Sequence, residues 1–128
     1  VCDWARKLAA DAPNEFAAYQ GAQRRTSGKF NGTLIPPGAD FCILTPASRS
    51  KARYYCASQD TSRSSARAAL APIIASLDQC LAGWRRSAEP DTADTLSDTT
   101  WAKSGVEVNA SVSISDGKAY WELVVKQR

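Results

Sequence analysis

Residues 106–127 read VEVNASVSISDGKAYWELVVKQ, and the fold turns on this stretch. Val106, Val108, Ala110, Val112 and Ile114 alternate with Glu107, Asn109, Ser111, Ser113 and Ser115, the period of a strand with one buried face. Asp116-Gly117 follows as a two-residue turn whose central positions both need positive φ, which Gly adopts freely and Asp tolerates. Folding the chain about that turn sets Ile114 opposite Ala119, Val112 opposite Trp121, Ala110 opposite Leu123 and Val108 opposite Val125. The other face sets Ser113 against Tyr120, Ser111 against Glu122 and Glu107 against Lys126. A slip of one residue would exchange the faces, so turn and pattern select one register.

Upstream of the hairpin, Trp101 fits a further strand ending before Gly105. The stretch 85–100 is charged, contains Pro90 and has no periodicity, so it is expected to be an exposed loop. Before it, Leu70, Ile73, Ile74, Leu77, Cys80, Leu81 and Trp84 recur at steps of three and four, one apolar stripe of a long helix. Ser62, Ser64 or Ser65 offers its N-cap and Gly83 its stop, while Pro72 implies a kink or a fresh start. Phe41–Leu44 and Arg53–Ser58 are rich in strand formers and predict a first hairpin with a long basic loop. Phe30 with Leu34-Ile35 suggests a short edge strand. At the N-terminus, Trp4 and Leu8 mark a short helix over about Asp3 to Ala10. A turn capped by Asp11 follows, carrying Phe16 and Tyr19 and stopping at Gly21. The expected fold is one α+β domain over 1–128. An antiparallel sheet of four to five strands, in two hairpins, would pack on one long helix beside a short N-terminal helix.

The 128 residues include four cysteines, no His and no Met. Cys2, Cys42, Cys56 and Cys80 contain no C-x-x-C pair and no His to complete a zinc site, which predicts two disulfides and no metal. Cys42 and Cys56 fall on consecutive strands of the first hairpin. Cys80 lies on the buried stripe of the long helix, leaving Cys2 as its partner. The expected pairing is Cys42–Cys56 and Cys2–Cys80. Disulfides and the absence of Met, initiator included, predict a processed protein of the periplasm or the extracellular space.

Without His, neither a Ser-His-Asp nor a Cys-His arrangement can be built. No glycine-rich phosphate cradle is present, and no cofactor is implied. Paired carboxylates remain as a third reading, a small hydrolase. Yet Glu107 and Glu122, the acids on a rigid element, fall about 15 Å apart by strand rise. No apolar run is long enough to span a bilayer.

The net charge is +3, too mild to demand nucleic acid, but its distribution is uneven. From Gly21 to Arg67, eight positive residues (Arg24, Arg25, Lys29, Arg49, Lys51, Arg53, Arg63, Arg67) face only Asp40 and Asp60. Tyr54-Tyr55-Cys56 closing a first hairpin and Cys80-Leu81-Ala82-Gly83-Trp84 ending a central helix give a layout similar to small exported bacterial proteins. Periplasmic inhibitors and immunity proteins are among these. The leading expectation is therefore a non-enzymatic protein that binds a partner with an acidic surface through Arg49, Lys51 and Arg53, with Tyr55 as aromatic anchor. The alternative is a module for a small ligand or envelope component, using the outer sheet face with Tyr120.

Overall fold

In the computed structural model, which describes residues 1–25, 27–48 and 50–128, each of two helices is followed along the chain by four strands. Helix α1 (Cys2–Asp11) and two single 3-10 turns (Ala12–Asn14, Ala17–Tyr19) precede β1 (Gln20–Gln23), β2 (Phe30–Gly32), β3 (Phe41–Thr45) and β4 (Arg53–Ala57). Helix α2 (Arg63–Cys80) leads to β5 (Arg85–Ala88), β6 (Thr95–Lys103), β7 (Val106–Ser115) and β8 (Lys118–Gln127). The strands form one antiparallel sheet in the order β1-β2-β3-β4-β8-β7-β6-β5.

The β7–β8 hairpin pairs in the register that its alternation selects, from Ser115 opposite Lys118 to Val106 opposite Gln127. Asp116 and Gly117 both have positive φ, 52° and 75°. This hairpin lies at the centre of the sheet. Its inward residues Val108, Ala110, Val112, Leu123 and Val125 are fully buried. Burial of that order, about 1.5 to 3 kcal/mol per large apolar side chain, is what fixes the register.

The sheet has eight strands instead of the expected four to five, and the difference lies in short or polar edge strands. β1, β2 and β5 have four, three and four residues, too short for an apolar alternation to show. The expected loop 85–100 holds β5 and the start of β6. Its first half is exposed as expected, but β5 is paired, with Arg86 opposite Trp101. Leu34-Ile35 is not a strand; Phe30 alone of that group pairs, opposite Leu44. Gly21 sits in β1 and ends no helix.

Both helices cover the same face of the sheet. They pack on each other and on β7 and β8, and Cys2 of α1 pairs with Cys80 of α2 at a Cα separation of 5.8 Å. Cys42 and Cys56 stand directly opposite on β3 and β4, with Cα atoms 4.1 Å apart. Both pairs match the expectation. Ser62 caps α2, its hydroxyl accepting the Ser65 N–H at 3.1 Å. Pro72 sits on an exposed position inside a helix that neither stops nor restarts there. Helix α1 is more than an accessory. Trp4, Ala5 and Leu8 are buried in the core beside Phe16 and Tyr54, so the sheet packs on two helices.

Tyr54 organises this end of the core. Its hydroxyl accepts the Leu34 N–H at 2.9 Å and donates to the Leu34 carbonyl at 2.8 Å, which also receives the Trp4 indole N–H at 3.2 Å. Trp4 and Phe16 meet its ring edge-on at centroid distances of 6.4 and 5.9 Å. Gly32 is required where that ring crosses β2, since a Cβ there would collide with the phenol and come within 2.9 Å of the Cys42 Cβ.

Burial is the main cause that pushes the Tyr54 hydroxyl up to about 12 from an ordinary 10.0. The folded state thus holds this proton more tightly than the unfolded chain does. The resulting stability is complete below pH 10 and is lost as pH rises through 12, by about 3 kcal/mol from this group. Urea unfolding between pH 9 and pH 11.5 should show this fall, and Tyr54→Phe should make it shallower by this group's share while the share of Tyr55, whose hydroxyl is also raised, remains.

Candidate functional site

The face of the sheet opposite the helices carries the alternate residues of the same strands, and no described helix packs on it. On β3 and β4, Cys42, Leu44, Tyr54 and Cys56 point into the core. Phe41, Ile43, Arg53 and Tyr55 therefore point outward, half-buried except for exposed Arg53. On β8 the outward set is Tyr120, Glu122, Val124 and Lys126; on β7 it is Glu107, Asn109, Ser111 and Ser113. Consecutive Val124-Val125 breaks the polar alternation, and Val124, opposite Tyr55, stands on this face but is itself buried.

Tyr55 lies in the middle of this patch. Its ring is 6.2 Å from that of Phe41, tilted by 48°. Burial, followed by the Glu122 carboxylate and the Tyr120 hydroxyl beside it, raises its hydroxyl far above the usual phenol range. Glu122 also accepts a hydrogen bond from the Ser113 hydroxyl at 2.5 Å. Farther along the face, a bulge between Leu96 and Thr99 turns Asp98 toward Asn109, whose side-chain amide donates to it at 2.7 Å and to the Thr100 hydroxyl at 3.0 Å. The patch is thus an aromatic and apolar centre flanked by polar side chains that are already hydrogen-bonded.

The sequence-predicted site residues fall at one edge of this face. Arg53 and Tyr55 are two residues apart on β4 and share its outer side, and exposed Lys51 precedes them. Shallow depressions at this edge are lined by Ile43, Tyr55 and Lys29 on one side and by Lys51, Arg53 and Lys126 on the other. Arg49 lies outside the described residues. Tyr54 and Tyr55 do not form a joint stacking surface, because Tyr54 is fully buried in the core. Phe41 and Ile43 do not stand out in the sequence as site residues, although the inward position of Cys42 implies outward neighbours on both sides, and Lys29 stands out only as one of the basic residues of its segment.

Antiparallel pairing segregates charge along the strands. The turn after β1, the chain before β4, the ends of β6 and β8 and the start of β5 all lie at one end of the sheet. Arg24, Arg25 and Lys29 stand there on the β1–β2 hairpin, Lys51 and Arg53 at β4, and Arg85, Lys103 and Lys126 on the far strands. The acids at this end are Glu107, which pairs with Lys126 at 3.1 Å, the partner expected from the register, and Glu15, whose carboxylate accepts the Ala47 N–H of the β3–β4 connection at 2.8 Å. The opposite end carries Asp40, Asp60, Glu89, Asp91, Asp94 and Asp116. There the Ser97 N–H and the Arg67 guanidinium hold the Asp91 carboxyl below its ordinary range.

Glu107 and Glu122 share the open face but are four residue steps apart, since Glu122 faces Ser111 and Glu107 faces Lys126, about 14 Å by strand rise and spacing. Among the described residues no group of His, Cys, Asp or Glu is arranged to hold a metal, and no helix is long and apolar enough to cross a membrane. The chain matches no protein-family model, no curated protein and no solved structure.

Proposed function

We propose that this is an exported, disulfide-bonded protein that acts by binding a protein partner with an acidic surface, as an inhibitor or immunity-type protein, and not by catalysis. The observation that carries the reading is the juxtaposition of half-buried Tyr55 and Phe41, on a sheet face that no described helix covers, with Lys51, Arg53 and Lys29 at its edge. Aromatic side chains that are already half-buried lose little entropy on docking and serve as anchors. Among the described residues Lys29, Lys51 and Arg53 make no ion pair, so their field is available to steer an acidic partner. Two disulfides support an oxidising compartment, periplasmic or extracellular.

A photo-crosslinking residue placed at Tyr55 tests this in the protein mixture of such a compartment. The expected result is a discrete protein adduct that is lost as salt rises, with the crosslink in an acidic region of the captured protein. The purified partner should rebind the unmodified chain. Labelling no stronger than from the same residue at exposed Ala68 on α2 would contradict the proposal. A second reading, a small ligand held by Tyr55, Tyr120 and Glu122, is favoured by the half-buried carboxylate between two phenols. Saturable binding of a glycan that competes with the protein adduct would support it.

A further inference from the structure

We infer that the partner engages the whole basic end of the sheet, and does so with an extended acidic segment of its chain; the inference rests on the protein-partner reading above. The cations occur in three separated groups. Arg24 and Arg25 lie on the β1–β2 hairpin at one margin, Lys51 and Arg53 lie near the middle, and Arg85 and Lys103 lie on β5 and β6 at the other margin. All six are exposed, and none of the six forms an ion pair among the described residues.

Eight strands at about 4.8 Å spacing make this end roughly 34 Å wide. A rigid acidic patch of ordinary interface size would meet one or two of the three groups, not all of them. The sheet's twist decides further. At about 20 to 25° per strand, the outer strands of an eight-stranded sheet are turned by roughly 150° relative to each other. The row of cations therefore winds around the end of the sheet and is not coplanar. A flat anionic surface would reach only part of it. An extended, flexible chain of carboxylates can follow it, at a cost in ordering entropy that the spread of charges offsets. Arg supplies four of the six positions, and its guanidinium fork suits carboxylates held in two-point contact.

The test uses the full chain and a fluorescent polyglutamate peptide of about twenty residues, long enough when extended to cover the row. Binding is expected to weaken steeply with salt. Arg24→Glu with Arg25→Glu, and separately Arg85→Glu with Lys103→Glu, should each weaken it about tenfold, whereas Lys118→Glu at the opposite end should leave it unchanged. Native circular dichroism of each variant checks folding. If either marginal pair binds like the parent, or if the peptide does not bind, the inference is overturned. The protein-partner reading then still stands or falls on the Tyr55 crosslink. If an equally charged heparin fragment binds tightly and polyglutamate does not, the row serves a polysaccharide and the inference is overturned.

Discussion

Replacing Cys2 and Cys80 together by Ala is expected to cost about 4.5 kcal/mol of unfolding free energy in the chain-entropy account, against about 3 for the Cys42–Cys56 pair. The difference follows from sequence separations of 78 and 14. The structure adds a second reason. Cys42 and Cys56 lie on neighbouring strands already held by five paired positions, so their opposition survives without the covalent link. Cys2 begins a ten-residue helix, a length at which helices are marginal unless docked. The link to Cys80 holds α1 against α2, and with it Trp4 and Leu8 in the core. Urea unfolding of the two double variants measures the order of costs. Hydrogen exchange should show α1 amides losing protection in the Cys2→Ala, Cys80→Ala protein while β3 and β4 keep theirs. A larger loss from the Cys42, Cys56 variant would mean that α1 docks firmly without its covalent link.

Residues 106–127 specified their own structure because three independent signals coincide there: alternation, a turn demanding positive φ, and opposed apolar pairs. The cysteine pairing was legible for a similar reason. Two cysteines on consecutive strands and one on a buried helical stripe leave little freedom for the fourth. The edge strands were not legible. Arg85–Ala88 is exposed at every position and gains its strand conformation from pairing with β6, a tertiary effect absent from local pattern. Thr95–Lys103 was half visible, through Trp101, because its bulge at Ser97 interrupts the alternation. Likewise Pro72 marks no boundary, since packing of Leu70 and Leu77 on the sheet holds the helix on either side of it.

The candidate site was legible in its charges and not in its surface. Lys51, Arg53 and Tyr55 stood out as a basic stretch with an aromatic. That Tyr55 shares an open face with Phe41, Tyr120 and Glu122 depends on β4 pairing with β8, a contact between segments about seventy residues apart. Nothing in either segment alone names the other. The same sheet topology collects the cations of five separate segments at one end, which a count along the chain shows only in part.

The central claim is that this basic edge steers an acidic protein partner onto the open face, and its most direct test is a rate. With the protein captured at Tyr55 purified, stopped-flow association is measured for the parent and for Lys51→Glu with Arg53→Glu. Both positions are exposed and make no ion pair among the described residues, so the fold should be unaffected. Reversing two steering charges should slow association about tenfold to a hundredfold at low ionic strength, with a smaller change in dissociation. The gap should close towards 1 M salt, where the screening length falls to about 3 Å. Equal association rates for parent and variant at low salt would contradict the account.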